Sequence, residues 1–201
     1  MRIKPENLPL IHRYAAHGRI VVFDTETTGM TNDDEICQIA AVEYEHGREC
    51  RNMAEYLTPA CPMNPYAEQA HGLSLDFLRQ NGVPPAIGLD RFLAFLGGNV
   101  LLVAHNLRFD MRMLNNACVQ HGIEYGRAAI ETCDTLALAR FAMPDIDCYT
   151  LANLVEMLGV GGINSHDALD DAYACAGVFF KLIESLKKGS VNDGSSHREI
   201  A

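Results

Sequence analysis

The segment that most constrains this chain is an apolar run that ends in two closely spaced carboxylates. Residues 20–23 are continuously apolar, which is typical of a buried strand, and Asp24 and Glu26 follow two positions apart. Side chains of a strand alternate between faces, so both carboxylates point to the same side. Two unit charges ~4 Å apart repel by about 4 kcal/mol at a surface-like dielectric. The pair is tolerated if a cation lies between the carboxylates or if one of them takes up a proton.

Two more acidic positions occur where helices are expected to begin. Asp110 falls in the first turn of a helix that follows a buried strand, and Asp167, Asp170 and Asp171 lie at the start of the last helix, where Asn164 or Ser165 could be the cap. An acid in a first helical turn gains roughly 0.3–1 kcal/mol from the helix dipole. Each of these acids alone therefore has a structural explanation. The same holds for the D-x-E pair, which alone could be a solvated strand end.

Length and composition indicate one globular domain. The chain has 201 residues, of which 48% are hydrophobic, enough to build a core without disulfide bonds or a structural metal. No apolar stretch reaches the ~18–20 residues of a membrane helix, and no targeting signal is visible, so the expected location is cytoplasmic. The seven cysteines are scattered, odd in number and never spaced as C-x-x-C, which argues against a disulfide framework and a zinc cluster.

The net charge limits the kind of nucleic-acid contact that the chain could make. It carries 16 Lys and Arg against 26 Asp and Glu, a formal charge of −10. Proteins that hold long nucleic acids usually present a basic face. Either nucleic acid is therefore not the partner, or the contact is short and mediated by metal ions.

The order of elements predicts an α/β fold, a mixed β-sheet flanked by helices. Strands are expected at 20–25, 33–44, 49–57, 100–103 and 130–133, with a hairpin turn at 45–48; helices are expected at 74–81, 86–96, 107–121, 134–142, 150–158 and 167–185. Prolines 59, 62 and 65 indicate an irregular segment between the third strand and the first of these helices. Residues 1–19 form an extension with helical potential, 20–186 the domain, and 187–201 a polar tail expected to be disordered.

Three patterns occur in a fixed order along the chain. They are Asp24-x-Glu26 at a strand end, Asn106-x-x-Phe109-Asp110 after a buried strand, and His166-x-x-x-x-Asp171 at the start of the last helix. Together they resemble the DnaQ-like, DEDDh family of 3′→5′ exonucleases, which have a ribonuclease-H-like fold. The resemblance covers about residues 20–182, including Thr27-Thr28-Gly29-Met30, His71-Gly72-Leu73 and Cys133-Asp134-Thr135-Leu136.

The resemblance implies a catalytic group made of four carboxylates and one histidine. Asp24, Glu26, Asp110 and Asp171 would hold two divalent cations, and their all-oxygen ligands suit Mg²⁺ or Mn²⁺. In this family pattern the two metals clamp the scissile phosphate. His166 would take a proton from the attacking water, because imidazole changes charge close to neutral pH. Of the two neighbouring aspartates, the spacing from His166 in the family pattern selects Asp171 rather than Asp170.

The resemblance also implies a substrate pocket. Thr27 and Met30 would meet the terminal nucleotide, and His71 and Asn106 would line its pocket. The product would be a nucleoside 5′-monophosphate released from a DNA 3′ end, single-stranded or frayed, during proofreading or end trimming. Arg112 lies near Asp110 in the sequence. It could contact a phosphate or lie on a solvated helix face, and both interpretations remain open.

Two alternatives to a DNA exonuclease remain open. Residues 24–29 resemble the exonuclease domain of polymerase III epsilon-type subunits more than oligoribonuclease, which favours DNA and allows a DNA polymerase partner. A 3′→5′ exoribonuclease similar to RNase T is the first alternative, because no reader of the RNA 2′-hydroxyl can be named. A non-catalytic interaction module is the second, although all five catalytic side chains are present.

Overall fold

The computed structural model describes residues 3–126, 130–161 and 166–192. Its centre is a five-stranded sheet in the order β3-β2-β1-β4-β5. The strands are β1 (Arg19–Thr27), β2 (Ile36–Glu45), β3 (Arg48–Tyr56), β4 (Val100–Ala104) and β5 (Ile130–Asp134). The first three strands pair antiparallel, whereas β4 and β5 run parallel to β1. The carboxyl ends of β1, β4 and β5 therefore lie at one edge of the sheet, where ligands commonly bind in α/β folds.

Eight α-helices surround this sheet in the described part of the chain. They are α1 (Leu8–His17), α2 (Pro65–His71), α3 (Leu75–Asn81), α4 (Pro85–Leu96), α5 (Leu107–Gln120), α6 (Thr135–Ala142), α7 (Leu151–Leu158) and α8 (Ala168–Asn192). None of these helices is long and apolar enough to cross a bilayer. The mixed sheet with flanking helices confirms the predicted fold class.

The alternation of side chains along β1 builds two cores, one on each face of the sheet. Ile20 and Val22 belong to a cluster with residues of α6, α7 and α8, whereas Val21 and Phe23 belong to a cluster with residues of α4 and α5. Even-numbered residues of β1 thus face α8. The same alternation carries Asp24 and Glu26 to the α8 side, just beyond the buried part of the strand.

The hairpin and most helices form where the sequence predicts them, and three elements differ. The sequence prediction lacks α2, because Pro65 by itself indicates irregular chain. Proline fits the first turn of a helix, where Asn64 caps α2 through the Tyr66 N–H at 2.9 Å. Strand β2 begins later than predicted because the Asp34 carboxylate accepts the Thr31 N–H at 2.7 Å and so forms a loop.

The third difference is the length of the last helix. Helix α8 continues to Asn192, beyond the predicted end at 185 and into the segment expected to be disordered. Residues 193–201 lie outside the described part of the chain. At the other end, α1 packs on the α8 side of the sheet through Ile11 and Ala15, so most of the predicted 1–19 extension contributes to the core.

Candidate active site

The first two carboxylates lie at the carboxyl end of β1. Asp24 and Glu26 pair across the sheet with Ala40 and Gln38 of β2, and the register shifts immediately after Glu26. Both residues are partly exposed, whereas the four residues before Asp24, Ile20 to Phe23, are buried. A strand that is apolar up to Phe23 thus places two carboxylates at the edge of the sheet where the carboxyl ends of β1, β4 and β5 lie.

Asp110 reaches the same edge from α5. This helix follows β4 after Asn106, whose backbone is left-handed at φ 64° and ψ 44°, a conformation that asparagine tolerates better than most residues. Asp110 is 3% exposed, and its Oδ1 accepts a hydrogen bond of 2.7 Å from the Thr25 hydroxyl. Thr25 lies between the two β1 carboxylates in sequence, so this bond ties Asp110 to them.

Helix α8 contributes Asp171. The helix begins after Asp167, whose carboxylate accepts the Leu169 N–H at 3.0 Å and is therefore its cap; the suggested caps Asn164 and Ser165 lie outside the described residues. Asp171 is 6% exposed, whereas its neighbour Asp170 is exposed. The burial agrees with the choice of Asp171 over Asp170.

His166 completes the group in front of α8. Its backbone is left-handed at φ 53°, and its side chain is exposed. One ligand atom each of Glu26, His166 and Asp171 lie within 4.8 Å of one another, which makes this trio a possible metal site. Residues separated by some 140 positions in the sequence are thus brought together.

The electrostatic environment of the carboxylates is unfavourable to their charges. Burial raises the pKa of Glu26 to about 8, with further repulsion from Asp171 and Asp110. Burial also raises the pKa of Asp110 to about 7, although the Thr25 hydrogen bond opposes the change. The pKa of Asp24 is raised by burial and then by Asp110, Glu26 and Asp171. In the described part of the chain, no salt bridge neutralises Asp24, Glu26 or Asp110.

A cleft of about 960 Å³ opens over these groups. Among the predicted site residues, Asp24, Met30, Asn106, His166 and Asp171 line it. Met30 lines the cleft and is 77% exposed, so its side chain is accessible from solvent. This placement is compatible with the predicted nucleotide contacts of Met30 and Asn106, which stay predictions.

Arg112 holds the loop that carries Met30. Its guanidinium donates to the carbonyl oxygens of Met30 at 2.8 Å and Thr31 at 3.1 Å, and to the Asn32 side chain at 2.8 Å. It also stacks on the ring of Phe109, 5.2 Å from the centroid. Of the two possibilities left open for this residue, a solvated helix face does not describe it, because Arg112 fastens the loop to α5.

Thr27 and His71 support the end of β1. The Thr27 hydroxyl donates to the Gly29 carbonyl at 2.6 Å, and the Thr27 carbonyl lies 3.2 Å from Nε2 of His71. Nδ1 of His71 accepts the Leu73 N–H at 3.0 Å, so Nε2 carries the proton of the neutral ring and donates to Thr27. Burial lowers the pKa of His71, which favours this neutral form. Nucleotide contacts by Thr27 and His71 stay predictions.

Two polar residues to which the sequence analysis assigns no site role, Gln38 and Asp134, position this site. The buried Gln38 donates to Asp167 at 2.8 Å and accepts the Ala168 N–H at 3.1 Å, so it joins β2 to the start of α8. Asp134 caps α6 and also accepts the Asn106 N–H at 3.0 Å. A signal for Gln38 exists in the sequence, because a lone amide within the apolar run of β2 requires buried partners.

Sequence comparison identifies the family. A family model described as Exonuclease (RNase_T) matches residues 21–179. DNA polymerase III PolC-type of Caldanaerobacter subterraneus is 31% identical over 184 residues, 91% of this chain and 13% of that protein. The PolC-type polymerase of Thermotoga petrophila is 35% identical over 170 residues, 84% of this chain and 12% of that protein. The chain thus spans about an eighth of the length of these relatives.

Solved structures share the fold. E. coli exonuclease I in complex with a dT13 oligonucleotide superimposes with a TM-score of 0.75 at 21% identity, over 90% of this chain and 44% of that one. The zinc-bound form of the E. coli exonuclease I–ssDNA complex gives a TM-score of 0.76 at 21% identity, over 91% and 44%. The ribonuclease-H-like fold and the DnaQ-like resemblance are therefore confirmed, and the chain belongs to the exonuclease family.

Proposed function

We propose that this chain is a 3′→5′ exonuclease that hydrolyses the terminal phosphodiester of DNA and releases nucleoside 5′-monophosphates. The observation that carries the proposal is the convergence of Asp24, Glu26, Asp110 and Asp171 beside His166. These groups come from β1, α5 and the start of α8, elements that lie far apart in the sequence and meet at one edge of the sheet.

The residues fit the divalent cations that the proposal requires. Burial raises the pKa values of Glu26 and Asp110, and a bound cation would favour their charged forms. Four carboxylates offer hard oxygen ligands, which suit Mg²⁺ or Mn²⁺ rather than zinc. Two such ions, when bound, would supply Lewis-acid stabilisation of the attacking and leaving oxygens. Asp24 would hold both ions, as the family pattern implies.

The chain's own side chains account for the remaining steps. His166 accepts a proton from the attacking water, and its exposed position allows the proton to pass to solvent. The Thr25 hydroxyl fixes the orientation of the Asp110 carboxylate. Met30 and Asn106 hold the terminal nucleotide in the cleft, and Arg112 keeps the Met30 loop in place. Thr27 and His71 support the end of β1 beside these carboxylates.

DNA is the proposed substrate because of the relatives. PolC-type relatives are DNA polymerases by name, and the exonuclease I structures contain single-stranded DNA. A strand end bound through metal ions also suits a chain of charge −10, which lacks the cations for a long interface. The polymerase relatives further suggest that this domain works with a DNA polymerase partner.

Degradation of labelled strands tests the proposal. Single-stranded DNA, mismatched duplex DNA and single-stranded RNA, each labelled at the 5′ end, are incubated with Mn²⁺ or with EDTA. We expect a ladder that shortens from the 3′ end of DNA in Mn²⁺ and no reaction in EDTA. RNA degraded faster than DNA would overturn the substrate, and internal cuts would overturn the exonuclease activity.

A substitution of His166 separates proton transfer from metal binding. His166→Ala is expected to lower kcat much more than Mn²⁺ affinity, because the proposed role is that of a base. Equal loss of turnover and of Mn²⁺ affinity would instead assign His166 to coordination with Glu26 and Asp171, which its position also allows.

A further inference from the structure

The cleft extends beyond the groups that the proposed chemistry uses. Its lining also includes Arg140 of α6, Tyr149 from the loop before α7, and the first residues of α7. Its volume of about 960 Å³ lies at the upper end of the range for pockets that enclose a whole small ligand. There is therefore room for more of a strand than its terminal nucleotide.

Arg140 brings a positive charge to an otherwise acidic lining. The other charged groups of the cleft, apart from its two histidines, are Asp24, Asp147 and Asp171. Arg140 is exposed, and among the salt bridges of the described residues none involves it. A guanidinium is always charged, and its planar fork matches the oxygens of a phosphate.

Tyr149 fixes the position of this guanidinium. The Arg140 guanidinium carbon lies 5.5 Å from the centroid of the Tyr149 ring, within the range of a cation–π contact. The Tyr149 hydroxyl donates to the Met143 carbonyl at 2.7 Å, and the Tyr149 carbonyl accepts from Nε2 of His105 at 3.0 Å. Tyr149 is thus held through its hydroxyl and through its backbone carbonyl, and a preoriented guanidinium loses little freedom when it binds an anion.

We propose that Arg140, supported by Tyr149, binds the backbone phosphate on the 5′ side of the scissile phosphate. This subsite rests on the proposed function, because it presumes a nucleic-acid strand whose 3′ end meets the carboxylates. The scissile phosphate itself belongs to the cations of the acidic group, whereas Arg140 lines the same cleft on a different element. The next phosphate of the strand is the anion left for it.

Two substrates that differ by one phosphate test the subsite. The dinucleoside monophosphate d(TpT) contains the scissile phosphate alone, whereas d(TpTpT) adds the phosphate on its 5′ side. With Mn²⁺, Arg140→Ala is expected to raise KM for d(TpTpT) by ~10-fold, as expected for loss of one charged contact at a partly exposed site, and to leave kcat/KM for d(TpT) unchanged. Arg140→Lys should recover part of the loss, because it keeps the charge.

Arg13→Ala is a matched control, because Arg13 is also an exposed arginine stacked on a tyrosine, 5.9 Å from the Tyr14 ring on α1. It should change neither substrate. On longer single strands, loss of one phosphate contact should also make the slope of log kcat/KM against log salt concentration shallower by ~0.7. Equal losses on both short substrates, or no loss on either, would overturn the subsite. Failure of the wild-type protein to cleave d(TpTpT) and longer DNA would instead overturn the proposed function.

Discussion

Replacing Glu26 by glutamine should make the metal-free protein more stable, and increasingly so as the pH rises. The folded-state pKa of Glu26 is about 8, against an ordinary value of 4.5. Between these two pH values the native state binds a proton that the unfolded state releases, so wild-type stability falls as the pH rises through this window. Glutamine carries no proton to lose, so the contribution of Glu26 to this fall is absent from the variant.

The magnitude follows from the width of that window. Each pH unit within it costs the wild-type protein about 1.4 kcal/mol relative to the variant, so the gap should widen by ~2–3 kcal/mol between pH 5.5 and 7.5. For a domain of this size that corresponds to roughly 5–10 °C in Tm. Burial lowers the pKa values of His71 and His105, which makes stability rise with pH. That contribution is common to both proteins and cancels in their difference.

Thermal unfolding in EDTA at pH 5.5, 6.5 and 7.5 measures this gap. Glu156→Gln removes an exposed carboxylate on α7 and serves as the control, for which the gap should stay constant. Adding Mn²⁺ at pH 7.5 should raise the wild-type Tm more than that of Glu26→Gln, since the cation replaces the missing positive charge. A gap that does not change with pH, or equal stabilisation of both proteins by Mn²⁺, would refute the reasoning.

Three further substitutions test parts of the site. Arg112→Ala should raise KM several-fold with little change in Mn²⁺ affinity, because the Met30 loop loses its bonds to α5; a matching loss of Mn²⁺ affinity would contradict this. Gly29→Ala should destabilise the protein by ~1–3 kcal/mol in chemical denaturation, because the added Cβ would lie 2.5 Å from Oδ1 of Asp34. Thr25→Val removes the hydroxyl that lowers the pKa of Asp110, so calorimetric Mn²⁺ binding should require a higher pH, whereas Thr25→Ser should not.

Local patterns in the sequence were sufficient for the parts of the fold that depend on neighbours in the chain. The apolar run before Asp24 predicts β1, and the spacing of the carboxylates places both on one face of the strand. Helix α2 is absent from the prediction because Pro65 alone indicates a break, whereas the Asn64 cap beside it allows a helix to begin there. The predicted start of β2 is wrong because the Asp34 side chain accepts a hydrogen bond from a backbone N–H, that of Thr31, and so forms a loop where a strand is predicted.

The gathering of the acids could be predicted from the resemblance to a family and not from any single motif. Asp110, Asp167 and Asp171 each stand where a helix dipole would favour an acid, and a local pattern cannot distinguish that cause from a shared site. The order of the motifs carried the additional information. Arg140 had no such signal, because its stacking on Tyr149 depends on how the loop between α6 and α7 folds back to the cleft.

Anomalous scattering from crystals soaked in Mn²⁺ tests the central claim most directly. The claim is that Asp24, Glu26, Asp110 and Asp171 form one group that requires paired cations. We predict two anomalous peaks among these carboxylates, with Asp24 in contact with both, and loss of both peaks in Asp24→Ala. Crystals of the wild-type protein that bind no Mn²⁺ between these side chains, or bind it elsewhere, would contradict the account.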